Sequence, residues 1–179
     1  YGASHPAATV RRMRAVVMRE GALVVDEVPV PDLQPGQVRV GVRACGICGS
    51  DLHALAHADS MVEMAKLTAS PDDLMAPKIM DPSHDVVMGH EFCGEVLELG
   101  PNAGNASVGD LVVSMPVVFD ATGIYPVGYS NDYPGGYGEQ LVLADALCLR
   151  VPNGLDAERA ALTEPMAVGL HAVNRSAIT

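Results

Sequence analysis

The stretch Gln37-Val38-Arg39-Val40-Gly41-Val42-Arg43-Ala44-Cys45-Gly46-Ile47-Cys48-Gly49-Ser50-Asp51-Leu52-His53 sets the reading of the whole chain. Its first half alternates: Val38, Val40 and Val42 share one face, and Gln37, Arg39 and Arg43 the other. That is the period of a half-buried strand. Its second half breaks the period with glycines suited to a turn, and Ser50 or Asp51 is placed to cap a short helix running towards Ala56. A strand thus delivers two cysteines, a serine, an aspartate and a histidine to one turn and one helix start.

Further strands are expected on either side. Residues 14–18 and 23–28 flank Glu20-Gly21 as a hairpin, and residues 95–99, 111–113 and 140–143 carry strand patterns separated by Gly-Pro-Asn and Gly-Asp turns. Residues 54–88 lack alternation; Met61, Met64 and Leu67 predict one short amphipathic helix there, with Pro71, Pro77 and Pro82 marking loop. This connection is long, and loops of more than about 15 residues are often functional. Residues 126–138, rich in Gly, Tyr and Pro, read as an excursion. Residues 156–162 read as a helix, and Pro165 as the first position of a second. Many short strands with late helices give a mainly β domain with peripheral helices.

Composition narrows the function. Hydrophobic residues make up 49% of the 179 residues, so the chain folds, but with two Phe and no Trp its core relies on Val, Leu, Ala and Met. Twenty-two acidic against eleven basic side chains leave a net charge of −11. This argues against nucleic acid and anionic membranes as partners. No apolar run approaches the roughly 20 residues of a membrane helix, and the N-terminal residues lack a secretion signal's apolar core. A cytoplasmic location is expected, with Cys45, Cys48, Cys93 and Cys148 as thiols or metal ligands rather than disulfides.

Three clusters can carry chemistry. Cys45-x-x-Cys48 supplies thiolates to a metal, or is a pair of buried thiols, or half of a structural zinc knuckle. His90-Glu91 puts two groups that are costly to bury in an apolar setting, unless it is merely a surface pair. Glu164 sits before a helix opening at Pro165, where acidic residues are also favoured for electrostatic reasons alone. His171 reads as a packed helical residue.

Five ordered motifs together resemble the medium-chain zinc-dependent alcohol and polyol dehydrogenases. They are Gly46-Ile47-Cys48-Gly49-Ser50-Asp51 with His53; Gly89-His90-Glu91-Phe92 with Gly94-Glu95-Val96; Gly109-Asp110 with Val112-Val113; Gly135-Gly136-Tyr137 with Glu139; and Glu164-Pro165 with Ala167-Val168 and Leu170-His171-Ala172-Val173. The Glu-Pro-x-Ala-Val form is similar to the sorbitol, threonine and glucose dehydrogenase branch. The resemblance implies a GroES-like, partly open β-barrel catalytic domain over 13–179, behind a tail at 1–12. It would end at the entry helix to a nucleotide-binding (Rossmann) domain absent from this chain.

The resemblance also implies a site. Cys48 and His90 are the thiolate and imidazole ligands of one catalytic Zn²⁺, and Glu91 or Glu164 is the carboxylate, one directly and the other through water. Asp51 orients His90, Cys45 is packing, and Ser50 and His53 relay the proton. The implied reaction is reversible oxidation of an alcohol or polyol, with hydride passing to NAD or NADP held by the missing domain, so the chain alone is expected to be inactive. Relatives of this kind are usually homodimers or homotetramers. Residues 114–134 contain no cysteine, so no structural zinc is expected, and Cys93 and Cys148 read as small buried residues. No G-x-G-x-x-G enters a helix; Gly136-Tyr137-Gly138 is a turn. The rivals are a zinc-free quinone or enone reductase of the same fold, a GroES-like binding module without catalysis, and a structural-zinc domain.

Overall fold

A computed structural model describes residues 11–68 and 76–176. The tail expected at 1–12 lies outside the described residues up to position 10. β1 (Arg12–Arg19) and β2 (Ala22–Pro29) form the expected hairpin. Its two loop residues, Glu20 and Gly21, have φ of 51° and 74°, the left-handed pair that matches the twist of such a hairpin. β4 (Val86–Val87) adds to the other edge of β1.

The central sheet has β3 (Gln37–Cys45) between β5 (Phe92–Leu99) and β9 (Gln140–Ala144), and extends from β5 through β6 (Leu111–Ser114) to β10 (Cys148–Arg150). A separate hairpin, β7 (Val117–Asp120) with β8 (Gly123–Pro126), covers one face. Val38, Val40, Val96 and Val112 are fully buried between them, each contributing about 1.5–3 kcal/mol of burial free energy. Among the described residues, the three sheets do not close into a continuous barrel. Residues 137–139 bridge the gap instead: Val16 donates to Tyr137 O, Glu139 to Arg14 O, and Val42 to Glu139 O.

Several details differ from the sequence reading. β3 is buried on both faces at its start, because it is a central strand under the β7–β8 hairpin. Gln37 (1% exposed) donates to Phe119 O and Tyr133 Oη, and Arg39 (2% exposed) donates to Glu98 and to Pro31 O. The two helical stretches expected here, one starting at Ser50 or Asp51 and one around Met61, Met64 and Leu67, are joined: α1 runs Gly49–Thr68 with a kink at His57. Its inward residues are Ala54 and Val62, while Met64 and Leu67 are exposed. The periodic triplet thus marked the helix but not its buried side. Residues 69–75, with Pro71, lie outside the described residues. α2 (Ala157–Ala160) is capped by Asp156, which accepts from the Arg159 amide at 2.9 Å. α3 (Thr163–Arg175) begins two residues before Pro165. The proline is still tolerated there, since amides of the first turn have no partner within the helix. No α3 residue is buried, and His171 is exposed rather than packed. No described helix is long and apolar enough to cross a membrane.

Asp145, in the short 3₁₀ turn after β9, ties that strand's end to the loop before β6. Its carboxylate accepts from the amides of Gly104, Asn105 and Ala106 at 2.8, 2.7 and 2.9 Å. Burial opposes its ionisation, but these donors outweigh that and hold its pKa below the usual carboxylate value. A depressed folded pKa stabilises above the unfolded value, near 4, and the gain is lost as pH falls through the folded value. Asp145→Ala is expected to cost about 1–3 kcal/mol at neutral pH, because it strands the buried Ala106 amide and removes the partner of two further amides. Denaturant unfolding of both proteins checks this, and the gap should narrow as the solution is acidified below pH ~4.

Candidate metal centre

Three chain segments converge on one point. The turn after β3 carries Cys48, the N-terminus of α1 carries Ser50 and Asp51, and the residues entering β5 carry His90 and Glu91. Backbone pairing fixes the meeting: Gly46 N donates to Glu91 O at 2.8 Å, and Cys45 pairs with Phe92 across the β3–β5 ladder. As a result the ligand atoms of Cys48, His90 and Glu91 all lie within 4.8 Å of one another.

Asp51, 1% exposed, organises this cluster. Its Oδ2 accepts from the Cys48 amide at 3.0 Å and from Tyr137 Oη at 2.8 Å, and Tyr129 Oη lies 3.1 Å from Oδ1. Burial works against its charge, yet His90, the Cys48 amide and Tyr137 together hold its carboxyl below the ordinary range. His90 Nδ1 is 3.3 Å from Asp51 Oδ1, within ion-pair reach but out of hydrogen-bond alignment, which leaves it a buried nitrogen without an aligned partner. On the other side of the ring, Nε2 is 3.4 Å from Ser50 Oγ. Burial disfavours the imidazolium, but Asp51 and then Cys48 outweigh it and raise the His90 pKa to about 9. A pocket that stabilises a proton so strongly has the negative surroundings that also draw a cation.

The donor set suits a divalent ion of zinc type: a thiol, an imidazole and a carboxylate, the last two buried, with a carboxylate behind the imidazole. Glycines make room for it. A Cβ on Gly46 would collide with Glu91 Oε2, and one on Gly136 would stand 2.5 Å from Cys45 Sγ. Cys45 is thus packed against the Gly-Gly-Tyr segment, and burial, with Asp51 beside it, pushes its thiol up to about 12. Cys93 and Cys148 are buried, with thiols raised by burial to about 11 and 12.

The remaining sequence candidates lie elsewhere. Glu164 is outside the three-residue cluster; half-buried in the first turn of α3, it lines a groove of about 370 Å³ with Val113, Met115, Leu149 and His171. His53 is exposed on α1, with its ring 5.0 Å from that of His57. The sequence reading missed the hydroxyls of Tyr129 and Tyr137. Tyr137 stood in a recognised motif but carried no assigned role, and Tyr129 lies in the Gly/Pro/Tyr-rich excursion, where no periodicity singles it out.

Residues 34–153 match the alcohol dehydrogenase GroES-like domain. The (R,R)-butanediol dehydrogenase of Bacillus subtilis is 35% identical over 85% of this chain and 44% of its own length. The sorbitol dehydrogenase of Gallus gallus is 30% identical over 97% of this chain and 47% of its own. The crystal structure of 2R,3R-butanediol dehydrogenase from Bacillus subtilis superposes with a TM-score of 0.70 at 30% identity, covering 93% of this chain and 48% of that one. The chain therefore spans about half the length of the curated relatives it matches. With its GroES-like fold and these relatives, it belongs to the medium-chain, zinc-dependent alcohol and polyol dehydrogenase family.

Proposed function

We propose that this chain is the zinc-binding, substrate-side domain of an NAD(P)-dependent dehydrogenase that interconverts an alcohol or polyol with its aldehyde or ketone. One observation carries the reading: Cys48, His90 and Glu91, distant in sequence, gather their donor atoms within 4.8 Å. Cys48 and His90 are the proposed thiolate and imidazole ligands and Glu91 the direct carboxylate, with Glu164 as the alternative. Zinc held there supplies Lewis acidity towards the substrate oxygen. Asp51 keeps the His90 ring in place from behind. Ser50 exchanges the proton with the substrate hydroxyl, and His53, one helical turn further and exposed, passes it to solvent. Hydride transfer needs a nicotinamide nucleotide, NAD or NADP, bound by protein beyond this domain. A zinc-free quinone or enone reductase, or a module that only binds, leaves the three-donor cluster without a role.

Metal analysis of protein purified without chelator is expected to find about one zinc per chain, the count of a single catalytic site. Cys48→Ser and His90→Ala should lose it, Cys45→Ala should keep it, and Glu91→Gln should weaken binding more than Glu164→Gln. Zinc retained in Cys48→Ser rules out the ligand set. Gly46→Ala is a steric test of the same cluster, since its new methyl displaces the Glu91 carboxylate. Its zinc affinity, from competition with a chromogenic chelator, should fall by about 10- to 100-fold.

A further inference from the structure

Tyr129 has two partners and one proton. Its Oη is 3.0 Å from Ser50 Oγ and 3.1 Å from Asp51 Oδ1, so at any moment it donates to one of them. Its ring packs on His90 with centroids 5.3 Å apart, and Met80 N donates to its backbone carbonyl at 2.7 Å, which fixes the phenol from below. Burial raises its pKa, so the phenol stays protonated.

We propose that Tyr129 is a positioning residue that switches the Ser50 hydroxyl between acceptor and donor. When the phenol donates to Asp51, its oxygen accepts a hydrogen bond from the Ser50 hydroxyl, and a Ser50 lone pair not facing His90 Nε2 is left to receive a hydrogen bond from a substrate alcohol. When the phenol donates to Ser50, the serine's own proton is released to point at a substrate carbonyl. No covalent bond changes; two hydroxyls rotate. One pair of side chains thereby serves both directions of a reversible oxidation. This inference rests on the dehydrogenase reading for its catalytic meaning, but the shared hydrogen bond is a property of this chain alone.

Tyr129→Phe keeps the ring on His90 and removes only the oxygen. In the full-length enzyme kcat should fall by about 10- to 100-fold in both directions, with KM changed by less than about threefold and zinc content unchanged. A kcat within about twofold of the parent, or a loss that follows loss of zinc, overturns the proposal. The second readout needs neither zinc nor turnover: isotope-edited infrared spectra of this chain with ring-labelled tyrosine. The Tyr129 C–O band, identified by its absence in Tyr129→Phe, should shift in Ser50→Ala, where the phenol can only donate to Asp51. An unmoved band sinks the switch. Failure of the dehydrogenase reading shows separately, as a parent protein without zinc or alcohol oxidation.

Discussion

Asp51 is the interaction on which the site depends. It is a carboxylate almost wholly removed from water, and an isolated buried charge of that kind costs several kcal/mol. It is tolerated because three separate parts of the chain reach it: the Cys48 amide and the Tyr137 phenol donate to it, the Tyr129 phenol lies 3.1 Å away, and the His90 ring stands within ion-pair distance. Each donor relieves the cost only when its own segment is folded. The turn after β3, the start of α1, the entry to β5 and the 127–137 loop are thereby tied to one buried carboxylate. The same geometry places Cys48 beside His90, so what satisfies the carboxylate also assembles the donor set.

The approach is as close as it is because side chains are missing at chosen points. Gly46 leaves space that the Glu91 carboxylate enters. Gly89, with φ of 97°, and Gly136 leave the space taken by Cys45 Sγ and Tyr137. Gly128, with φ of 85°, passes over the Gly89 backbone at a distance no Cβ permits, its carbonyl lying 2.8 Å from where one would stand, and so delivers Tyr129. Glycine loses more freedom on folding than any other residue. Here that cost is met by the buried contacts it permits around the cluster.

Much of this was legible in the sequence, for a physical reason. Alternation in residues 37–43, the Glu20-Gly21 turn and the cap at Asp156 are local signals that neighbouring residues alone decide, and the strands and α2 follow them. The motifs around Cys48 and His90 were visible because a thiol, an imidazole and a carboxylate are conspicuous in an apolar setting, where burying them is costly. Illegible were features set by distant partners. Gln37 and Arg39 look solvent-facing until the β7–β8 hairpin and Glu98 arrive to satisfy them. The helix around Met61 was expected, but not its joining to the first stretch across His57, nor the buried cluster that Val62 shares with Met18 and Met80 from across the fold. Tyr129 owes its place to the turn at Gly128 and to a carbonyl held by Met80, neither of which leaves a pattern around the tyrosine.

Glu164 shows how far geometry reaches beyond motif. The family resemblance offers two glutamates, Glu91 and Glu164, as the proposed carboxylate ligand, and the motif does not choose between them. Glu91 is fixed rigidly: the residue after it enters β5, its carbonyl takes the Gly46 amide, and its carboxylate fills the space Gly46 leaves. Glu164 sits on a helix that buries none of its residues, in a groove walled by Val113, Met115 and Leu149. A ligand needs its position fixed before the ion arrives, or ordering the side chain subtracts from the affinity gained. Of the two proposed carboxylates, preorganisation therefore favours Glu91, the one already gathered with Cys48 and His90.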